Sequence, residues 1–284
     1  MLARAVQSAP TKDHGGGALA VIPARFASTR FPGKMLAAET GRPLVQHVVE
    51  KVLQCRLISD VIVAADDERI AAALVPYGTR VVMTSPAHPS GTDRVAEVAR
   101  SQAGAQIIVN VQGDEPEIEP ETVDALVQLM LDHPTADMAT LATPFPPDED
   151  PADPNLVKVV LAPDGRALYF SRSRIPFVRY GTNPTAAAPP LLHIGLYGYR
   201  RAFLLKLAGY RPTPLEETEK LEQLRVLEYG HTIIAAVVDR SGHPTHGIDT
   251  PQQYAAFVKR EKARDAQQGQ VPAAAAQTRV PSVT

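Results

Sequence analysis

Short apolar runs alternate with helix-patterned segments through the first half of the chain, and this alternation restricts the fold more than any other feature. Residues 18–22, "VIVAA" (61–65), "RVVMT" (80–84) and "IIVNV" (107–111) are apolar through their centres rather than at every second position. Such runs read as strands buried on both faces. Between them, "PLVQHVVEKVL" (43–53) sets Leu44, Val45, Val48, Val49, Val52 and Leu53 on one helical face. "ERIAAAL" and "TDRVAEVARSQ" have the same spacing, and "PETVDALVQLML" is opened by Pro120, a residue suited to the first helical turn. Strands separated by helices predict an α/β protein with a mostly parallel, Rossmann-like sheet covered on both faces.

The pattern changes after residue 136. "ADMATLATPF" reads as a strand, and "LVKVVLAPDGRALYFSRS" as a hairpin turning at Pro163-Asp164-Gly165, residues that favour tight turns. An aromatic-rich strand follows at 191–200. "TPLEETEKLEQLRVLEYG" predicts a helix whose Thr213, Pro214 and Glu216 form a capping box. Strand "TIIAAVV" (232–238) and a helix from "DTPQQYAAFVKR" complete the order. The expected organisation is a disordered leader (1–17), one domain (18–262) with a smaller hairpin insertion at about 157–212, and a disordered tail (263–284). The segment 181–190 reads as an irregular surface loop.

A formal net charge of −2 over 284 residues argues against bulk binding to nucleic acid or a membrane surface, so basic residues must act locally. No apolar run has the length of a membrane span, and the leader lacks a signal-peptide core. A soluble cytoplasmic protein is expected. The single cysteine, Cys55, excludes an internal disulfide and reads as core packing.

Four polar segments carry candidate chemistry. "IPARFASTRFPGK" (22–34) puts Arg25, Arg30 and Lys34 on a loop stiffened by Pro23 and Pro32, just past the carboxyl end of the first strand. Ligands of open parallel sheets sit at that end, and guanidinium and ammonium groups grip phosphate oxygens. It is not a P-loop, since Lys34 is followed by Met35 and Ser28 stands at the first glycine position. Nor is it a dinucleotide fingerprint, since Gly15 and Gly17 precede the strand. "NVQGDEP" (110–116) brings Asp114 and Glu115 to the end of another strand, where a carboxylate can hold Mg²⁺ against phosphate. In "HGIDTPQQY" (246–254), Asp249 either flanks a helix start or serves a site; His243 and His246 lack a third ligand for zinc. In "HPSGTDR" (88–94), Ser90 and Asp93 can cap a helix or wall a base or phosphate.

Together these segments resemble the CMP-Kdo synthetases, the 3-deoxy-manno-octulosonate cytidylyltransferases, from about Leu19 to Arg260. "IPARFASTRFPGK", "HPSGTDR", "VNVQGDEP", "VKVV", "ALYFSRSRIPF", "HIGLYGYR", "LEQLRVL" and "IDTP" follow one another in that family's order. The first loop differs from the glycine-richer one of CMP-sialic acid synthetases and from the G-x-G-T-R of hexose-1-phosphate nucleotidyltransferases. The resemblance implies a nucleotidyltransferase-type sheet and transfer of CMP from CTP to the anomeric 2-hydroxyl of Kdo, with pyrophosphate released, in lipopolysaccharide precursor synthesis. A relative acting on an amino-substituted Kdo or a sialic acid, and a silent CTP-binding regulatory protein, are the alternatives.

The resemblance also implies roles. Arg25, Arg30 and Lys34 bind the CTP phosphates, with Arg25, Lys34 and Asp114 catalytic. Asp114 and Asp249 hold Mg²⁺. Pro23, Ala24, Ser90, Gly91 and Gln112 surround the cytidine, and Arg172, His193, Tyr197, Glu222 and Gln223 line the sugar-acid side. A homodimer is implied, with the hairpin and the aromatic strand as its expected surface.

Overall fold

A computed structural model of the chain describes residues 17–179, 188–240 and 247–269. The leader before Gly17, most of the 181–190 loop, His243, His246 and the tail beyond Gly269 lie outside the described residues.

The four expected strands of the first half form β1 (Ala18–Ala24), β2 (Ile58–Ala65), β3 (Val81–Met83) and β4 (Ile107–Asn110), all parallel to their neighbours among these four. Their order is β3-β2-β1-β4. The chain therefore moves outward from β1 in one direction and returns to its other side with β4. That reversal opens a crevice beyond the carboxyl ends of β1 and β4, where doubly wound sheets bind ligands.

β8 (Leu191–Arg200) pairs antiparallel with both β4 and β5 (Met138–Pro144), and β9 (Ile233–Val237) lies parallel to β5 at the far edge. The sheet is mostly parallel, as expected, with β8 the reversed strand in its middle. The hairpin at Pro163-Asp164-Gly165 joins β6 (Lys158–Leu161) to β7 (Ala167–Ser171), and β6 hydrogen-bonds to the start of β8. The hairpin thus branches from the same sheet.

Both faces are covered, which explains why the strands lack polar alternation. Ala18, Ala20, Ile22 and Ala24 of β1 face a core shared with α1 (Leu44–Val52), α2 (Glu68–Leu74) and α4 (Pro120–Asp132). Leu19 and Val21 face the opposite core, with α3 (Gly91–Ser101), α5 (Arg201–Leu207) and α7 (Gln223–Glu228). Cys55 lies in the first core, its thiol pushed up to about 12 by burial and nearby acids, so it is an inert packing group.

Two expectations are corrected, and one element is new. The sequence pattern does not reveal α5. The segment 213–230 is two helices, α6 (Pro214–Glu219) and α7, broken where Lys220 adopts a left-handed conformation with φ 54°. Glu216 accepts the Thr213 N–H at 3.3 Å and the Arg225 Nε–H at 2.7 Å, so the capping acid also locks the corner. The final helix α8 (Pro251–Gly269) runs past residue 263, where the composition suggests a tail.

A non-glycine residue at positive φ is strained by about 1 kcal/mol or more. Lys220→Gly should therefore raise stability by about 1 kcal/mol in urea denaturation; an equal or lower midpoint would show that the corner carries no such strain.

Candidate active site

The loop leaving β1 reverses through Gly33, whose φ of 70° is left-handed and open to glycine at little cost. A 3-10 turn over Lys34–Leu36 follows and points Lys34 inward. Phe31 fixes the loop from outside, its ring 5.6 Å from that of Tyr254 on α8.

Asp114 enters just beyond β4. The turn before it requires glycine because a Cβ on Gly113 would stand 2.8 Å from the Pro23 carbonyl oxygen and 3.3 Å from Met35 Sδ. Asp249 arrives just before α8, beside a capped helix start. Gln253 Oε1 accepts the N–H groups of Asp249 and Thr250 at 2.8 and 2.9 Å, and Thr250 Oγ1 accepts the Gln253 N–H at 3.2 Å. Thr250 and Gln253 therefore complete the capping box, leaving the Asp249 carboxylate for the cleft. Leu44, Ile248, Tyr254 and Phe257 form a small core that holds this helix start against α1.

The three elements meet at one atom. Lys34 Nζ lies 2.6 Å from Asp114 Oδ2, 3.0 Å from Asp249 Oδ1 and 3.0 Å from the Ile248 carbonyl oxygen. Arg30 Nη2 reaches Asp249 Oδ2 at 2.9 Å. Burial opposes the Lys34 charge, but Asp114 and Asp249 outweigh it and raise its pKa above the ordinary lysine value. The ammonium is thus charged at neutral pH.

Around this group opens a cleft of about 410 Å³ lined by Pro23, Arg25, Arg30, Lys34, Ser90, Gly91, Gln112, Asp114, Glu222 and Asp249. Arg25 Nη2 is buried without a hydrogen-bond partner, a donor suited to an anion. Ser90 both caps α3, accepting the Asp93 N–H at 3.1 Å, and walls the cleft, so the two readings of its motif coexist. Ser28, Thr29, Met35, Pro89 and Gly113 also line the cleft. The loop's polar "STR" run was the available signal for the first two.

Other expected residues lie elsewhere. Ala24 is fully buried in β1 and is absent from the cleft wall. Arg172 is engaged with backbone carbonyls, its Nε donating to Glu219 at 2.6 Å and Nη1 to Pro154 at 2.8 Å, and it ties the hairpin to α6. His193 and Tyr197 adjoin each other on β8, ring centroids 5.4 Å apart. Gln223 is buried at the start of α7, with Nε2 lacking a hydrogen-bond partner. Glu222 does face the cleft, and accepts the Thr92 hydroxyl at 2.6 Å.

A bulge in β8 shapes this side. Thr140 pairs with Tyr197 but Leu141 with Ile194, so Gly195 and Leu196 are extra. Bulges commonly re-aim groups beside active sites. Here the Gly195 carbonyl accepts from Gln112 Nε2 at 3.3 Å. Thr140 Oγ1 spans the bulge, 2.9 Å from the Leu196 carbonyl oxygen and 2.9 Å from His193 Nε2. With its one proton given to a carbonyl, the hydroxyl accepts from His193 Nε2–H, the neutral tautomer. Burial pushes His193 down to about 3.

Two carboxylates gathered on one cation fit a divalent metal of the magnesium type, which takes one or two carboxylates and fills its shell with substrate oxygens and water. Among the described residues no group of three His, Cys, Asp or Glu could hold a metal on its own. No helix among them is long and apolar enough to cross a membrane.

This fold and cleft are those of a nucleotidyltransferase, and residues 19–233 match the cytidylyltransferase family model. The chain is 52% identical over 239 residues to the 3-deoxy-manno-octulosonate cytidylyltransferase of Geobacter sulfurreducens, covering 82% of this chain and 94% of that one. It is 51% identical over 233 residues to the enzyme of that name from Myxococcus xanthus, covering 82% and 92%. A solved structure of CMP:2-keto-3-deoxy-manno-octonic acid synthetase complexed with CTP superimposes with a TM-score of 0.80 at 40% identity, covering 89% of this chain and all of that one. A cytidylyltransferase from Leptospira borgpetersenii, at 13% identity and a TM-score of 0.56, shares the fold. The chain belongs to the 3-deoxy-manno-octulosonate cytidylyltransferase family.

His193 and His47, pushed down to about 3 and about 4 chiefly by burial, are neutral when folded, whereas unfolded histidine titrates near ~6.5. Below that value the unfolded chain binds more protons, so stability is complete above about pH 6.5 and falls as the pH drops towards 4. Unfolding free energy from urea denaturation should fall over this window by up to about 1.4 kcal/mol per pH unit per histidine, and His47→Gln should flatten the slope. Burial pushes the Glu115 carboxyl up to about 7, which partly offsets the fall. A pH-independent midpoint between 7 and 4.5 would contradict this.

Proposed function

We propose that this chain transfers CMP from CTP to the anomeric 2-hydroxyl of 3-deoxy-D-manno-octulosonate, releasing pyrophosphate. The observation that carries the reading is the convergence of Lys34, Asp114 and Asp249 beside the unpartnered Arg25 guanidinium. A triphosphate needs cations from several directions and carboxylates for its accompanying metal, and this cluster offers groups of both kinds.

In this reading Arg25, Arg30 and Lys34 bind the phosphates, and Pro23, Ser90, Gly91 and Gln112 flank the cytidine. Ala24 contributes through the course of the backbone. The sugar acid's 2-hydroxyl loses its proton to solvent and forms the new oxygen–phosphorus bond at the α-phosphate as the bond to the β-phosphate oxygen breaks. Charge grows on the departing pyrophosphate, where Arg25 and Lys34 neutralise it in a preorganised cleft. Asp114 and Asp249 would hold Mg²⁺, which when bound polarises the α-phosphate and acidifies the attacking hydroxyl. His193, with its pKa pushed down to about 3, is too weak a base to take the hydroxyl proton at neutral pH.

On the acceptor side, Glu222 and Gln223 offer hydrogen bonds to a polyol; the orphaned Gln223 Nε2 is the group best suited to it. His193 and Tyr197 form the aromatic wall behind, and Arg172 supports this side through its grip on α6. The reading extends to a cytoplasmic enzyme of lipopolysaccharide precursor synthesis, working as a homodimer. The exposed apolar residues Leu168 and Phe177, the latter 86% exposed, mark the hairpin side as the candidate dimer surface.

Pyrophosphate release from CTP and Mg²⁺ tests the proposal. It should require Kdo, stop with EDTA, and be weak with sialic acid; release only with another sugar acid would move the acceptor assignment. Lys34→Ala and Asp114→Ala should each lower turnover by about 10²-fold or more in folded protein, and a near-normal rate in either would overturn its role.

A further inference from the structure

Arg94, in the "HPSGTDR" segment, is completely buried on α3. Its Nη1 donates to Thr84 Oγ1 at 2.6 Å and its Nη2 to Asp66 Oδ2 at 3.2 Å. Thr84 passes its own proton to the Ala65 carbonyl at 2.9 Å. The other Asp66 oxygen, Oδ1, accepts the N–H of Phe26 at 2.9 Å, the residue after Arg25 in the phosphate-facing loop. One carboxylate, half-buried beside that loop, is therefore divided between a loop backbone amide and a buried guanidinium.

A buried ion pair is a poor source of stability, because desolvation offsets most of its attraction. This one has a further effect on the charge near the loop. Lys34 and Arg30 already have carboxylates in Asp114 and Asp249, whereas Arg25 Nη2 is buried and unpartnered. Asp66 accepts the backbone N–H of Phe26, the residue next to Arg25, so its carboxylate lies at the base of the same loop. The Arg94 guanidinium holds that carboxylate and, carrying like charge, repels Arg25.

We infer that Arg94 is a positioning residue for nucleotide binding: by occupying Asp66 it keeps the Arg25 guanidinium free for a nucleoside triphosphate and holds Phe26 so that the loop stays open. This rests on the reading of the loop as the CTP phosphate cradle. Without Arg94, Asp66 turns to Arg25 and the two compete with the triphosphate.

Three full-length variants test it: Arg94→Met, the double variant Asp66→Asn/Arg94→Met, and Val98→Ala as a control that opens the core beside the same helix. Each is checked for folding by circular dichroism, then measured for CTP binding by calorimetry and for steady-state pyrophosphate release. Arg94→Met should weaken CTP binding and raise the CTP KM about tenfold or more, with the KM for Kdo within about twofold. The double variant, which has no carboxylate to capture Arg25 and still offers an amide oxygen to Phe26, should recover to within about threefold of the parent. Val98→Ala should lower the melting temperature and leave the CTP KM unchanged. Wild-type CTP affinity in Arg94→Met overturns the inference, as does a double variant impaired as much as the single one. So does a rise in both KM values shared with Val98→Ala. A parent protein that binds no CTP would overturn the functional reading itself, and the inference with it.

Discussion

The Lys34 ammonium ties together three segments far apart in the chain: the loop after β1, the turn after β4 and the start of α8. It is buried, and its charge is tolerable only because Asp114, Asp249 and a backbone carbonyl surround it. Removing a partner from such a group costs about 3–5 kcal/mol. The interaction therefore reports correct assembly of the cleft as well as supplying charge for chemistry. Most of the local structure can be read as support for it: Gly33 turns the lysine inward, Gly113 lets the Asp114 turn close on Pro23, and the Thr250–Gln253 cap leaves Asp249 free.

The sheet topology explains why this assembly lies where it does. β1 has β2 on one side and β4 on the other, so the chain reverses direction across the sheet at that point. The connections from β1 and β4 diverge, and a cleft is left between them. Cationic groups come from the β1 side and carboxylates from the β4 side and α8. The two sets meet directly, Lys34 lying against both Asp114 and Asp249. β8, running against the sheet beside β4, lies behind the cleft, and its bulge turns the Gly195 carbonyl towards Gln112 of the cleft wall.

Polar groups behind the cleft are arranged to leave the front ones available. Asp66 is shared by Phe26 and Arg94, and Thr140 bridges the β8 bulge and fixes the His193 tautomer. Glu216 is committed to Thr213 and Arg225 at the α6–α7 corner. Each satisfies a buried donor or acceptor that would otherwise compete for the groups lining the cleft. Arg25 and Gln223 are among the described residues with buried nitrogens that lack a protein partner, as are Arg94 and Arg240 through Nε; of these, Arg25 lies in the cleft wall.

The amino-acid sequence by itself determined the element types and the polar inventory of the cleft. Uninterrupted apolar runs bounded by turn residues read as strands covered on both faces, and the charges clustered at strand ends in 22–34 and 110–116 mark where the cleft forms. Two kinds of information were absent from it. Local conformation against propensity was one: the break at Lys220 lies within a run of good helix formers and depends on the Glu216–Arg225 pair across the corner. Long-range pairing was the other. The reversed direction of β8, the withdrawal of Arg172 to backbone carbonyls and the meeting of Asp249 with Lys34 across 215 positions depend on which surfaces pack together. A capping motif read in isolation could not distinguish Asp249 as a helix flank from Asp249 as a ligand. The packed structure adds that Thr250 and Gln253 satisfy the helix end while the Asp249 carboxylate meets the buried Lys34 ammonium.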